Sequence, residues 1–383
     1  PQLWSCETPN LYTAVSELML HGEVVDRCET RFGVRTIKWK TDTGFWLNGE
    51  NVKLKGICNH QAGGPFGAAI PDKILRHRLK QLKAMGCNAV RTAHHPQTPV
   101  FYRFCDELGI LVMDEIFDGW HAKAAGDYGK LDFPDWWQRD VTDWLRRDRN
   151  HPSIVIWSLG NETREARCEV EGFGNKVMQL CHTLDPTRPV TAGSGHLTSG
   201  ELDVHGENGK SEKKGFAAAH GQKLTKPFVA TEYPHTWQVR GFYNTQTWYR
   251  DGFPNKKQRP FEIADLSDEE LFHLDWTAPS NKNRQQSLRR KQIFNSSYDN
   301  ATVRITARGA WQQVRDIPWW SGGFRWTGHD YLGEAGYVHG GWPFRLFMGG
   351  ALDVAGFKKD LYYFYQSQWT DKPMVHILPH WTH

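Results

Sequence analysis

From residue 52 onward, eight short apolar runs follow one another, and helical stretches separate the early ones. The runs are VKLKGIC (52–58), NAVRTA (88–93), ILVMDE (110–115), SIVIWS (153–158), RPVTAG (188–193), LDVHG (202–206), KPFVATE (226–232) and SGGFRWTG (321–328). Their length and apolar content mark them as buried strands rather than helices. Between the first two lies PDKILRHRLKQLKAMG, with Pro71 suited to a first helical turn and Gly86 to a helix stop. Helical stretches also follow the next three, at PVFYRFCDELG, PDWWQRDVTDWLRRDRNH and about 166–184. Strands that alternate with helices run parallel, because a parallel pair needs a long crossover. Eight such units predict a closed (β/α)8 TIM barrel.

The flanks read differently. Residues 1–40 alternate in short stretches such as LYTAVSELML and RFGVRTIKWK, the pattern of the last strands of a β-sandwich. The expected organisation is therefore sandwich strands over 1–41, the barrel over 42–370 and the start of a following β domain over 371–383. Such an edge needs partner strands from flanking β domains, and the opening PQLWSCETPN reads as a piece of a longer protein. The spacing breaks once, after Glu232, where residues 236–318 are rich in Arg, Asn, Gln and Trp. That stretch is too long for an ordinary loop and reads as an insertion.

Bulk properties exclude some functions. The net charge is +4, from 47 basic and 43 acidic residues, too balanced for a nucleic-acid binder. The one basic cluster, KNRQQSLRRK (282–291), reads as a solvated loop. No apolar run is long enough to span a membrane, and no signal peptide is visible. Seven cysteines without a CxxC pair argue against a disulfide framework or zinc site; Cys58, Cys87 and Cys105 read as core residues. Neither compartment nor oligomeric state is legible, and a homo-oligomer is compatible with the chain. Aromatic residues reach 13%, enough to supply both a core and sugar-stacking faces.

In such barrels chemistry sits at the C-terminal ends of the strands. Those ends read Cys58-Asn59-His60-Gln61, Arg91 with His94 and His95, Asp114-Glu115, Asn161-Glu162, His205 and Glu207, Thr231-Glu232-Tyr233, and Arg325-Trp326. A purely structural barrel would not need so many ionisable groups, which are costly to bury unpaired. Structural alternatives stand beside the functional ones. Arg91 suits an ion pair with Asp114-Glu115 as well as a ligand contact; the histidines suit turn caps; Trp326 suits barrel-top packing or a sugar platform.

Glu162 and Glu232 are the pair that a reaction would use. Glycoside hydrolysis needs one carboxyl protonated to assist the leaving oxygen and one ionised to attack the anomeric carbon. Two carboxyls across a barrel mouth meet that need, since their proximity and surroundings drive their pKa values apart.

The run from GFWLNGENVKLKGICNHQAGG through HHPQTPVFYRFCDELGILVMDEIFDGW, with SIVIWSLGNE, KPFVATEY and SGGFRWTGHDYLGE, resembles glycoside hydrolase family 2 and its β-galactosidase branch. The resemblance covers about residues 1–370 apart from the insertion. It implies that Glu162 is the general acid/base, that Asn161 binds the sugar 2-hydroxyl and that Glu232 is the nucleophile of a retaining, exo-acting enzyme. It also implies that His94 supports sugar hydroxyls, Arg91 orients the nucleophile, Trp326 is the platform and residues 1–40 end an immunoglobulin-like sandwich. His60, Tyr233, His205 and Glu207 complete the expected substrate-binding set.

Three departures qualify this. Where many relatives carry a tyrosine near strand six this chain has His205, Glu207 and Asn208, which calls the usual hydrogen bond to Glu232 and the sugar identity into question. A metal-binding Glu-x-His after strand three reads Gly119-Trp120-His121, so no metal and no cofactor are expected. The insertion suits a pocket wall for a galactan, an algal one among the candidates. The expected partner is an oligosaccharide or polysaccharide. The rival readings are another specificity of the family, such as β-glucuronidase, against which an Asn-x-Lys element is missing at the corresponding place, and a non-catalytic carbohydrate-binding barrel.

Overall fold

The computed structural model describes residues 1–120, 133–194, 202–213, 215–236, 238, 240–241, 305–333 and 346–377. The basic cluster 282–291, His121 and most of the 236–318 stretch lie outside the described residues.

All eight expected runs form strands of one parallel sheet: β6 (Leu54–His60), β7 (Ala89–Ala93), β8 (Leu111–Glu115), β9 (Ile154–Asn161), β10 (Val190–Gly193), β11 (His205–Glu207), β12 (Phe228–Ala230) and β13 (Trp320–Arg325). The order β10-β9-β8-β7-β6-β13-β12-β11 wraps the sheet round, and the amides of Asp203 and Val204 both donate to Val190 O where its ends meet. This is the TIM barrel, closed save for a weak seam.

Side chains fill the inside. Leu54, Cys58, Ala89, Leu111, Met113, Val155, Val229 and Phe324 form one cluster, and Trp4, Phe45 and Leu47 extend it. Those last three come from the N-terminal segment: Phe45 and Leu47 lie on β4 (Gly44–Leu47), the middle strand between β3 (Ile37–Lys40) and β5 (Glu50–Asn51). A second cluster lies between the strands and the helices, and Cys87 and Cys105 are buried in it. None of the seven cysteines forms a disulfide with another. The helices show why the periodicity was readable: Leu75, Leu79 and Leu82 of Asp72–Ala84 share the inward stripe.

Before the barrel, β1 (Tyr12–Leu20) and β2 (Glu23–Phe32) make an antiparallel hairpin whose Val15, Leu18, Met19 and Val25 are exposed. The last part of the 236–318 stretch is a barrel helix, Ala307–Asp316, capped at its start by Thr306 Oγ1 accepting from the Gly309 amide. After the final helix, Asp360–Trp369, residues 371–377 carry no regular structure.

Candidate active site

Arg91 organises the barrel mouth from beneath. It sits on β7 with no exposure, and its guanidinium reaches four strands. Nε and Nη2 donate to the two carboxylate oxygens of Glu115 at 3.0 and 3.0 Å. Nη1 donates to Glu232 Oε1 at 2.9 Å and to Thr231 O at 3.1 Å, while Nη2 also donates to Asn161 Oδ1 at 2.9 Å. Burial opposes the charge, but Glu115 and Glu232 outweigh it and keep the guanidinium ionised. Glu115 is therefore the counter-charge that the sequence offered. Asp114 is not: it accepts from Tyr102 Oη (2.7 Å), Thr92 Oγ1 (3.1 Å) and Trp144 Nε1 (2.7 Å) in the outer layer.

Space for this hub comes from Gly193 at the end of β10. A Cβ there would meet Arg91 Nη2 at 2.7 Å, and the Asn161 and Asn208 side-chain oxygens at 3.2 Å each. No apolar pattern marks that glycine.

Glu232 stands two residues past β12 and is 7% exposed. Arg91 holds one of its oxygens; His235 Nε2 lies 3.1 Å from the other. Burial alone would raise this carboxyl, but the His235 hydrogen bond and the charges of Arg91, His94 and His235 hold it well below the usual carboxylate range. His235 in turn lies against Glu212, which accepts from the His235 amide at 2.6 Å and sits 2.6 Å from Nδ1. Burial would lower the imidazole, yet Glu212 and Glu232 raise it to about 9.

Glu162 stands one residue past β9, exposed, in the left-handed region at φ +47°, with its amide donating to Gly193 O at 2.6 Å. A side chain there is strained by about 1–3 kcal/mol, a cost tolerated where surrounding structure imposes the turn. Asn161, its neighbour, is fixed on three sides. Its oxygen accepts from Arg91 and from Asn208 Nδ2 (3.1 Å), and its amide group donates to Asp118 Oδ1 (3.1 Å). Asn161 and Glu232 thus share one guanidinium, and that brings the β9 and β12 ends together.

Aromatic groups form the wall beside them. His94 places Nδ1 2.9 Å from Glu115 Oε1 and Nε2 3.9 Å from Glu232 Oε1. Trp326 stacks on the His94 ring at 5.0 Å and 8°, so His94 covers one indole face and leaves Trp326 5% exposed. His60 stacks on Tyr331 at 4.3 Å and meets Trp326 edge-on at 6.2 Å. Burial, then the charges of His94 and His95, lower His60 to about 4, so it is neutral at ordinary pH. Its Nδ1 has no hydrogen-bond partner among the described residues. A cavity of about 580 Å3 opens from His60 and His94 past Phe117, with Asp118, Asp140 and Asp143 on its wall.

Other expected site residues lie elsewhere. Tyr233 is 2% exposed and turned into the helix layer, where its hydroxyl donates to Gln313 Oε1 at 2.5 Å. The His205 ring packs on His220 and Phe228. Glu207 accepts from Ser194 Oγ at 2.7 Å, at the edge of the network. Arg325 is buried and donates to Thr236 Oγ1 and O, both at 2.7 Å, pinning the segment that carries His235. Sequence reasoning missed His235, Glu212 and Gly193. Only the histidine had a local signal, standing three residues after Glu232 in TEYPH. Among the described residues no group of three or more His, Cys, Asp or Glu is placed to hold a metal ion.

Comparison with known proteins accords with this geometry. Residues 39–251 match the family model described as glycosyl hydrolases family 2, TIM barrel domain, and residues 1–35 match that described as glycosyl hydrolases family 2. Over its full length the chain is 58% identical to a Formosa agariphila protein provisionally named a β-glucuronidase, and 35% identical to a β-galactosidase of Bacteroides ovatus. It spans 35% and 46% of those relatives' lengths. A crystallised β-glycosidase from Bacteroides vulgatus superposes on the whole chain with a TM-score of 0.83 at 43% identity, the chain covering 47% of that protein. The matched family model covers more than half of the chain, from its third strand to beyond Glu232, and the chain belongs to glycosyl hydrolase family 2.

Proposed function

We propose that this chain is the catalytic portion of a retaining, exo-acting β-glycosidase that removes a terminal β-galactosyl unit from an oligosaccharide. The observation that carries the reading is the contrast between two carboxyls. Glu232 is buried and held ionised by Arg91 and His235; Glu162 stands exposed just past β9, with β10 and β11 between the two strands. In the first half, a Glu232 oxygen bonds to the anomeric carbon as the glycosidic C–O bond breaks, and the leaving oxygen takes the Glu162 proton. In the second half, Glu162 takes a proton from water, the water oxygen bonds to the anomeric carbon, and Glu232 leaves as carboxylate. Asn161 faces the 2-hydroxyl, and His60, His94 and Trp326 flank the ring.

The 58% identity to the Formosa protein favours a second reading, β-glucuronidase. Charge argues for the first. Among the described residues the cavity beside His60 carries three aspartates against one arginine, Arg147, a balance that favours a neutral hydroxylated sugar over a uronate carboxylate there.

The test is turnover of aryl β-galactoside and aryl β-glucuronide by the protein at its full encoded length. Galactoside turnover at least tenfold faster is expected, and Glu232→Gln is expected to abolish it while sugar binding persists. Faster glucuronide turnover would move the assignment to the second reading. Full activity in the Glu232→Gln protein would remove Glu232 as nucleophile.

A further inference from the structure

We infer that Glu212 is a positioning residue for this reaction: through a buried ion pair it holds His235 as an imidazolium that donates to Glu232. The inference rests on the reading of Glu232 as nucleophile given above.

Three contacts carry it. Glu212 has no exposure, and a single carboxylate oxygen receives both the amide and the Nδ1 side of His235 at 2.6 Å. The opposite ring nitrogen, Nε2, then lies 3.1 Å from Glu232 Oε2. A ring with a carboxylate at each nitrogen satisfies both only when both nitrogens carry protons. Arg91 and His94 face the other Glu232 oxygen, and among the described residues Tyr233 and Arg325 are further titratable groups that feel the Glu212 charge. Arg325 fixes Thr236, the residue after His235, by donating to its Oγ1.

The consequence appears during the reaction. When Glu232 bonds to the anomeric carbon its negative charge is lost, and among the described residues Glu212 is the counter-charge His235 keeps. Burial would then expel the ring proton. Glu212 prevents this. The Nε2–H therefore continues to donate to the ester, and as the ester C–O bond breaks the charge returning to Glu232 meets a cation already in place. Removing the Glu212 charge should weaken the second half of the reaction more than the first.

The experiment compares the full-length wild-type protein with Glu212→Gln and Glu212→Asp. Gln keeps an accepting oxygen but no charge; Asp keeps the charge. NMR titration of the His235 ring in the Gln variant should fall from about 9 to below 7.5. Reactivation of the enzyme trapped with an activated 2-fluoro-β-galactoside should slow at least tenfold at pH 8, with Asp restoring much of the rate. Unchanged titration and reactivation in Glu212→Gln would overturn the inference. One measurement needs no variant: in the trapped wild-type enzyme at pH 7 the His235 ring should remain doubly protonated, and a neutral ring would also overturn it. If the wild-type protein turns over no aryl glycoside and no reagent labels Glu232, the functional reading fails and takes this role with it. Labelling at Glu232 with indifferent Glu212 variants defeats the positioning role alone.

Discussion

Arg91 and Glu115 form an ion pair with no solvent exposure on either side chain, closed by contacts of 3.0, 3.0 and 2.9 Å. The pair ties β7 to β8 and leaves Arg91 Nη1 free to face Glu232. Ser158 Oγ donates to the same Glu115 at 2.7 Å, which ties in β9 as well.

Removing one partner of such a pair strands a buried charge, at a cost of about 3–5 kcal/mol. Arg91→Met should therefore lower the thermal midpoint by many degrees. Arg91→Lys retains the charge but not the fork, and should fold better while losing at least ~100-fold in kcat, because one ammonium cannot hold Glu115, Asn161 and Glu232 together. Thermal melts and kcat on one aryl glycoside check both halves. A Lys variant with unaltered kcat would show that the fork is dispensable.

Glu162→Ala should separate leaving groups. Substrates with good leaving groups need little protonation and should lose little rate in the first half; poor ones should lose a factor of about 100 or more. Azide should restore turnover by taking the place left by the carboxylate, with a β-glycosyl azide as product. Equal losses for both substrate types would contradict the acid/base role.

Gly193→Ala probes the crowding beneath the site. The added methyl meets Arg91 Nη2 at 2.7 Å and must displace it from Asn161 or Glu232. A kcat loss of roughly tenfold or more is expected, with little change in far-ultraviolet circular dichroism, since misplacement by about an ångström is costly to catalysis. Wild-type kinetics would mean that the hub yields without consequence.

Stability should fall as pH rises from about 4 to 8. Burial, and next the charge of Asp148, push Asp114 up to about 8, and Asp148 itself is raised. The folded state then holds a proton that the unfolded chain has already released above its ordinary carboxyl pKa of about 4. The unfolded state therefore binds fewer protons across that window, and stability declines until the pH passes the folded value. Thermal midpoints between pH 5 and 9 should show the decline, and Asp148→Asn should flatten it by removing the second carboxyl. An equal slope in that variant would place the pH dependence elsewhere.

The strands were most legible where the apolar run is unbroken: β8 opens LVM and β9 begins IVIW, with all of those residues buried. Glu162 and Glu232 were legible as candidates because each stands at the C-terminal end of a barrel strand, where chemistry is expected. Tyr233 shows the limit of that rule, since its position beside Glu232 gave no sign that its ring turns outward to Gln313. Trp326 shows it too, because stacking on His94 depends on how β7 and β13 meet across β6.

The sequence by itself determined the eight-strand series, the presence of β-strands before the barrel and the place of Glu162 and Glu232 at strand ends, because periodicity and strand ends are local properties of the chain. Only the tertiary structure decided that Arg91 lies behind Glu232, that Gly193 leaves room for it, and that Glu212 holds His235 against Glu232. Those contacts join residues 23 to 141 positions apart in the chain. They exist because barrel closure forces buried charges from distant strands into one dry volume, where each must find a partner of opposite sign.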